Sequence, residues 1–442
     1  MPQATFYFPT GFLWGTATAA HQVEGSNTNN TWSAWEQEPG RIRGGDRAGL
    51  ACDWWGGRWR EDLNRAAETG QNAHRMSIEW SRIQPEPERW DEYALDHYRE
   101  IVRGIVERGM TPMITLHHFT DPLWLAEQGA WESEKTAGLF ATYAQRVVEA
   151  LKEYVTLWVT INEPNVYAYS GYITADFPPG RRNMDTAFRV MANLVRGHAA
   201  AYAAIHTKQR EARVGIAQHY RGFVPARSWF PLDGLVAGLQ HRLFNHFFPR
   251  ALTDGILDFV CSKVRIPEAA HTQDFLGVNY YTRDQVTFSP FHPESGYGKN
   301  SYPAGADLSG AGFIANDPEG MFAALRWANG FNVPLIVTEN GVEDADDRMR
   351  PRYLAQHVHQ VWRAINFNWP IKGYFHWSLV DNFEWERGWS QRFGLWGLDR
   401  ETQARRKRPS VDLYAAICRE NGLSADMVSR YAPEVLEKIF PG

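Results

Sequence analysis

Two glutamates in this chain close strand-like runs. One ends Val337-Thr338-Glu339-Asn340-Gly341; the other ends Val159-Thr160-Ile161-Asn162-Glu163-Pro164. In each case a β-branched run carries the carboxylate outward, and Asn-Gly or Pro then stops the strand. Two carboxyl groups offered from strand ends are what cleavage of a glycosidic bond requires. One protonates the departing oxygen, and the other meets the anomeric carbon. A single glutamate at a strand exit is ordinarily solvated punctuation. The chemistry therefore depends on what else reaches the same rim.

Strand-like runs recur eight times, at residues 12–18, 73–78, 112–117, 156–161, 213–219, 275–280, 334–339 and 371–379. They are near-continuously apolar, as strands buried on both faces should be. Helical patterns lie between them. Residues 93–108 set Leu95, Ile101, Ile105 and Val106 on one face; 136–154 do so with Leu139, Tyr143, Val147 and Leu151; 353–367 follow with Leu354, Val358, Val361, Trp362 and Ile365. Strand–helix alternation implies a parallel sheet, and eight repeats imply an α/β fold of one closed (β/α)8 TIM barrel. No Gly/Ser/Pro linker divides the chain, so residues 1–442 read as a single catalytic domain with extended βα loops. The segment 288–312 is the nearest thing to a linker. It reads as a long βα loop over the active face, with Phe291, Tyr297 and Tyr302 walling the cleft.

Function in such a barrel sits at the C-terminal strand ends. Polar residues there are His21, Gln22 and Glu24 after the first strand, then Arg75 and Glu79, His117-His118, and Asn162-Glu163. Asn279, Tyr280 and Tyr281 follow the sixth, Glu339 and Asn340 the seventh, and Trp377, Asp381, Asn382, Glu384 and Trp385 the eighth. Neutral hydrogen-bonding groups, carboxylates and indoles together suit a sugar ring, which has hydroxyl edges and an apolar C–H face.

Composition removes other classes. Lys+Arg 46 against Asp+Glu 51 gives a formal charge of −5, with no long basic stretch, so nucleic acid and anionic membranes are poor partners. The short run Arg405-Arg406-Lys407-Arg408 reads as a solvated loop before a helix. Cys52, Cys261 and Cys418 show no zinc or redox spacing, no stretch resembles a membrane span or signal peptide, and a cytoplasmic location is expected. Aromatic residues make up 14% of the chain, enough to furnish both a core and stacking platforms.

The motifs, in order, are Phe12-Leu13-Trp14-Gly15, His21-Gln22-Val23-Glu24-Gly25, Arg75-Met76-Ser77-Ile78-Glu79-Trp80-Ser81-Arg82-Ile83, Asn162-Glu163-Pro164, Asn279-Tyr280-Tyr281, Thr338-Glu339-Asn340-Gly341 and Trp377-Ser378-Leu379-Val380-Asp381-Asn382-Phe383-Glu384-Trp385. Over nearly the whole chain they resemble glycoside hydrolase family 1, the retaining β-glucosidase and β-galactosidase family. The resemblance implies Glu163 as acid/base and Glu339 as nucleophile, with Arg75 and Tyr281 holding Glu339 ionised and aimed. It implies Gln22, His118, Asn162 and Glu384 as hydroxyl-binding residues, Trp377 as a stacking platform and Trp385 as its indole N–H-donating neighbour. Asn279 is a further sugar-site candidate, although Asn279, Tyr280 and Trp80 could equally be core packing. The implied substrates are small β-glycosides and short oligosaccharides, without cofactor or metal.

Three positions depart from the family pattern. Asn165 follows Asn-Glu-Pro where Trp is common, Phe119 follows the sugar-binding His118 where Trp is common, and Phe313 and Ile314 stand near an expected aromatic platform. These leave the outer subsites open to question but not the glutamates. Rival readings are weaker. His117 and His118 are adjacent on a strand, so their side chains diverge and cannot share an ion. Glu343-Asp344-Ala345-Asp346-Asp347 lacks a calcium-loop glycine, and no phosphate-loop or dinucleotide fingerprint is present. A non-catalytic sugar-binding barrel could dispense with either carboxylate, and both are kept. A transglycosylase would share the covalent intermediate and differ only in the attacking hydroxyl.

Overall fold

The computed structural model describes residues 4–260 and 262–441; Cys261 lies outside them. Eight parallel strands form the barrel: β1 (Leu13–Ala17), β2 (Ala73–Ser77), β3 (Thr111–His117), β4 (Leu157–Asn162), β5 (Arg213–Pro225), β6 (Phe275–Phe288), β7 (Leu335–Asn340) and β8 (Ile371–Trp377). Each pairs with the next, β8 pairs with β1, and β5 pairs with β6, so the sheet closes on itself. All eight sequence-derived strands are present. Helices α1 (Trp59–Glu68), α2 (Glu92–Glu107), α3 (Lys135–Leu151), α4 (Met184–Lys208), α5 (Phe247–Asp254), α6 (Pro318–Asn329), α7 (Arg350–Asn366) and α8 (Ser410–Glu420) follow the strands in turn. This is the (β/α)8 barrel.

The strands carry long apolar runs because both faces are covered. β2 is buried at every position and β7 likewise. The helices bury one stripe each. On α2 the buried stripe is Leu95, Tyr98, Ile101, Val102 and Ile105. Val106, expected on that face, is instead exposed. Asp91 caps α2 by accepting from the Ala94 N–H, and Asn183 caps α4 by accepting from Thr186.

Two sequence expectations need correction. The segment 288–312 is not a plain loop. β5 and β6 run on past the barrel to Pro225 and Phe288, and a short strand, Gly298–Ser301, pairs antiparallel with Gln285–Phe288. A three-stranded ribbon therefore rises from one side of the rim. The Arg405–Arg408 run is not a solvated loop either. Arg405–Lys407 pairs with Trp396–Leu398, Arg405 meets buried Asp62 at 2.8 Å, and Arg408 meets buried Asp381 at 2.8 Å. Guanidinium groups placed this deep need such carboxylates to offset desolvation.

Candidate active site

Both glutamates sit just past irregularities in the barrel ladder. β4 loses register with β5 between Val159 and Asn162, and β7 loses register with β6 between Val337 and Glu339. Such breaks re-aim the side chains that follow. Glu163 also adopts a left-handed conformation (φ 44°, ψ 58°), which a non-glycine residue holds only where its surroundings fix it. Its N–H donates to Ala217 at 2.7 Å on β5, and Pro164 starts the next helix. After Glu339 the chain passes close against β8: a Cβ on Gly341 would stand 1.9 Å from the Trp377 carbonyl oxygen. Close approach, rather than a turn, demands glycine there.

Arg75 organises the centre. It is fully buried, and its guanidinium spans the barrel mouth. It donates through Nε to Thr115 at 3.1 Å, through Nη1 to Glu339 at 2.6 Å and the Thr338 carbonyl at 3.1 Å, and through Nη2 to Asn162 Oδ1 at 2.6 Å. Tyr281 donates its O–H to the other Glu339 oxygen at 2.6 Å. Burial, then the charge of Glu339, pushes the Tyr281 phenol well above its usual range, so it remains a neutral donor.

A chain of fixed orientations follows. Arginine can only donate, so the Asn162 oxygen must face Arg75 and its amide nitrogen must point to His118, 3.0 Å away. His118 Nε2 then accepts, and its proton lies on Nδ1, a buried atom with no protein partner. Burial, then Arg75, holds the His118 imidazole well below its ordinary range and hence neutral. Asn279 donates to Glu163 Oε1 at 2.8 Å and to Asn162 at 3.2 Å while accepting from Thr338. It thereby ties Glu163 to Asn162 and to Thr338. Glu163 and Glu339 are thus joined through Asn279, Asn162 and Arg75.

Burial raises the Glu339 carboxyl to about 7, with Arg75 opposing and the charge of Glu163 reinforcing the rise. Trp377 donates its indole N–H to Glu384 at 3.1 Å, and burial pushes the Glu384 carboxyl well above its usual range. His118 lies face-on toward Trp377 and Trp385, with centroids 6.1 and 5.9 Å away. Gln22 donates to the Phe383 carbonyl at 2.6 Å, and its Oε1 is buried without a partner.

Glu163, Glu339, Asn162, His118, Tyr281, Trp377, Glu384 and Trp385 all line one cavity of about 770 Å³. Other rim residues turn away. Glu24 pairs with Arg82, Asp381 with Arg408, and His117 bonds Asp121 on the side opposite His118. Tyr280 donates to Asp317, and Trp80 stacks on Tyr143. Among the described residues no group of three or more His, Cys, Asp or Glu could hold a metal ion.

The outer part of the cavity differs from expectation. Phe291 is 86% exposed, and neither it nor Tyr297 or Tyr302 lines the cavity. The 288–312 segment contributes Pro293, Ser295, Gly296 and Asn300 instead, and the rest of the outer wall comes mainly from segments after β4 and β5. Asn165 is a strut: its amide donates to the carbonyls of His219 at 2.9 Å and Phe244 at 3.0 Å. Phe119 packs edge-on against Phe177 and Trp385. The Arg387 guanidinium lies 3.6 Å above the centroid of the Phe313 ring. One site residue escaped the sequence reading. His219 Nδ1 lies 3.0 Å from Glu163 Oε1. Its signal was only its place at the end of the fifth run.

The comparisons agree with this geometry. A family model described as glycosyl hydrolase family 1 matches residues 4–423. Beta-glucosidase A of Thermotoga maritima is 33% identical, with 94% of this chain and 98% of the relative covered. A beta-galactosidase of Sulfolobus acidocaldarius is 31% identical, covering 95% and 96%. Among solved structures, a beta-glycosidase from Pyrococcus horikoshii superposes with a TM-score of 0.89 at 37% identity, covering 97% of this chain and 98% of that one. The family 1 glucosidase of T. maritima gives 0.90 at 33%, covering 94% and 99%. The chain belongs to glycosyl hydrolase family 1.

Proposed function

We propose that the chain is one catalytic domain that hydrolyses terminal, non-reducing β-D-glucosides, and β-galactosides and β-fucosides as well, with retention of configuration. One observation carries this reading. Glu339 is gripped on one oxygen by Arg75 and on the other by Tyr281, each at 2.6 Å, and opens onto the same cavity as Glu163. A cation and a hydroxyl donor both favour the charged carboxylate. In this reading Glu339 is the charged carboxylate and Glu163 carries the proton. Glu339 attacks the anomeric carbon, and Glu163 gives its proton to the departing oxygen. Water deprotonated by Glu163 next opens the glycosyl ester.

Gln22, His118, Asn162 and Glu384 bind the sugar hydroxyls, with Asn279 holding Glu163 and Asn162 in place. The unpaired buried atoms Gln22 Oε1 and His118 Nδ1 are the kind that sugar hydroxyls satisfy. Trp377 stacks under the ring and Trp385 flanks it. The T. maritima relatives solved with galacto-hydroximolactam and with deoxynojirimycin hold sugar mimics, which supports a sugar-sized ligand here. A cytoplasmic location fits the free, buried thiols of Cys52 and Cys418. The experiment is to follow an aryl β-D-glucoside by proton NMR while labelling the enzyme with a 2-deoxy-2-fluoro-glucosyl fluoride. The expected result is first-formed β-glucose and a label on Glu339. First-formed α-glucose, or a label elsewhere, refutes the assignment. A transglycosylase would share every step except the last acceptor.

A further inference from the structure

In the glycosidase reading Glu163 gives up a proton and later takes one back, so the groups that touch its carboxyl decide which oxygen does this. The cavity beyond it is lined largely by apolar groups, Met184, Phe188, Phe247 and Phe259 among them, which offer a carboxyl no hydrogen bond. The contacts come from the barrel. Asn279 on β6 and His219 on β5 are register partners across the two strands, and both reach Glu163 Oε1, at 2.8 and 3.0 Å. The Asn279 contact is a donation. Arg75 fixes the Asn162 oxygen as an acceptor, so the Asn279 atom 3.2 Å from that oxygen is its nitrogen. β5 holds the backbone of Glu163 as well, because its N–H donates to Ala217, two positions before His219. His219 is itself braced. Its carbonyl accepts from Asn165 at 2.9 Å and from Gln218 at 3.2 Å. Its ring stacks on Tyr281 with centroids 5.9 Å apart and meets Phe244 edge-on at 5.7 Å.

We propose that His219 is a positioning residue for the acid/base: it donates from Nδ1 to Glu163 Oε1 and, with Asn279, commits that oxygen, so that Oε2 delivers the proton to the departing oxygen and takes one from water in the second step. The proposal rests on the glycosidase reading and deepens it. The opposite arrangement, a bare Nδ1 accepting from Oε1, would turn the proton of Glu163 toward a protein group instead of the substrate. Donation needs only that Nδ1 carry a proton, and it serves both steps. A carboxylate that accepts two N–H groups on one oxygen keeps, as the base, the orientation it had as the acid. Asn165 acts through His219, by holding the carbonyl of the strand end that carries it.

The test uses substrates that differ in their need for a proton. In His219→Leu, kcat/KM for methyl β-D-glucoside should fall by about 10- to 100-fold, while kcat/KM for a dinitrophenyl β-D-glucoside, whose leaving group departs as an anion, should stay within about twofold. His219→Asn, which can set an amide N–H near the place of Nδ1, should recover most of the loss. Asn165→Leu should reproduce the pattern more weakly. Equal losses on both substrates show a histidine that only supports the fold and overturn the proposal. So do wild-type rates on the methyl glucoside in folded His219→Leu, and a folded His219→Asn no better than leucine. If the leucine variant does not fold, the wild-type enzyme decides. Nitrogen–proton NMR spectra of its imidazoles, with the His219 signals assigned by their loss in His219→Asn, should show the proton on Nδ1, and a bare Nδ1 overturns the proposal. If the wild type cleaves no β-glycoside at all, the glycosidase reading itself falls; each of the other failures removes only the role of His219.

Discussion

The two ends of the cavity are built on opposite plans. At the sugar end nearly every polar atom is tied to another. Arg75 alone joins β2 to β3, β4 and β7 through four hydrogen bonds. At the aglycone end the walls are aromatic, aliphatic and thioether groups on helices and a hairpin, and polar groups nearby pair among themselves. Arg221 and Asp284, for example, form a two-point bridge at 2.7 Å on both contacts. Directional bonds on rigid strands select one ring geometry. Non-directional apolar contact selects bulk and shape only. The first end should therefore be intolerant of change, the second permissive.

The sharpest break is at Glu339. Glu339→Gly removes the carboxylate proposed as nucleophile and leaves the rest of the strand in place, and turnover should fall by about 10⁴-fold or more. Azide should restore much of it and yield an α-glycosyl azide, because the anion enters from the vacated face. Wild-type rates in this variant would dissolve the distinction between the two ends.

Glu163 comes next. Glu163→Ala should slow glycosides with poor leaving groups by about 10²–10⁴-fold and spare the first step for good ones. Equal losses on both would speak against proton donation. The pH profile should be bell-shaped. Burial, opposed by Arg75 and reinforced by Glu163, raises the Glu339 carboxyl to about 7, so as pH falls through that value the nucleophile becomes neutral and the rate falls. Loss of the proton that Glu163 is to donate brings the alkaline limb, where kcat/KM falls again. The same rise has a stability sign. The folded value exceeds the unfolded one, so the contribution is fully present in acid and is lost as pH climbs through about 7. A rate still rising at pH 9 would show that no proton donor is needed.

Why one end was legible in the sequence and the other was not follows from the same contrast. Glu163 and Glu339 close apolar runs, so strand exit gives their position directly, while Arg75 and Asn279 lie within such runs as polar interruptions. Met184, Phe188, Phe247 and Phe259 look like core residues, because an apolar helix face reads alike whether it meets packed side chains or an empty channel. His219 was passed over because its partner, Glu163, lies 56 positions away. The ribbon made by Gly298–Ser301 was hidden under Gly, Ser and Pro, which mark a turn without saying what pairs across it. Arg405 and Arg408 looked solvated because Asp62 is 343 residues distant and the burial of Asp381 is tertiary.

A smaller effect tests the charge at the sugar end. Burial pushes the Glu384 carboxyl well above its usual range, with the Trp377 N–H opposing and the charge of Glu339 adding to the rise. A phosphate on the sugar would add negative charge beside this group. The cation at hand, Arg387, already meets Glu386 at 3.1 Å and covers Phe313. Neutral glucosides should therefore outrun their 6-phosphorylated twins by about tenfold or more, because a phosphate buried here would lose its hydration with no uncommitted cation to pair with. Faster cleavage of the phosphorylated sugar would mean that Arg387 can be recruited.

The mildest expectation concerns added sugars. A second or third glucose gains affinity where an aromatic face stacks on it, at roughly 1 kcal/mol per platform, or where unpaired polar groups meet its hydroxyls. Beyond Glu163 the rings of Phe188, Phe247 and Phe259 pack on one another, and Arg221 and Asp284 satisfy each other. Little remains to hold a pyranose in register. From cellobiose to cellotetraose kcat/KM should change by no more than about threefold per glucose, well under the tenfold that 1.4 kcal/mol per ring would produce. Aryl glucosides should be cleaved alongside these oligosaccharides. Initial rates across the series settle the matter. A steep, stepwise gain with each glucose would mean that the apolar end hides formed sugar subsites, and the division of the cavity into a selective and a permissive half would fall.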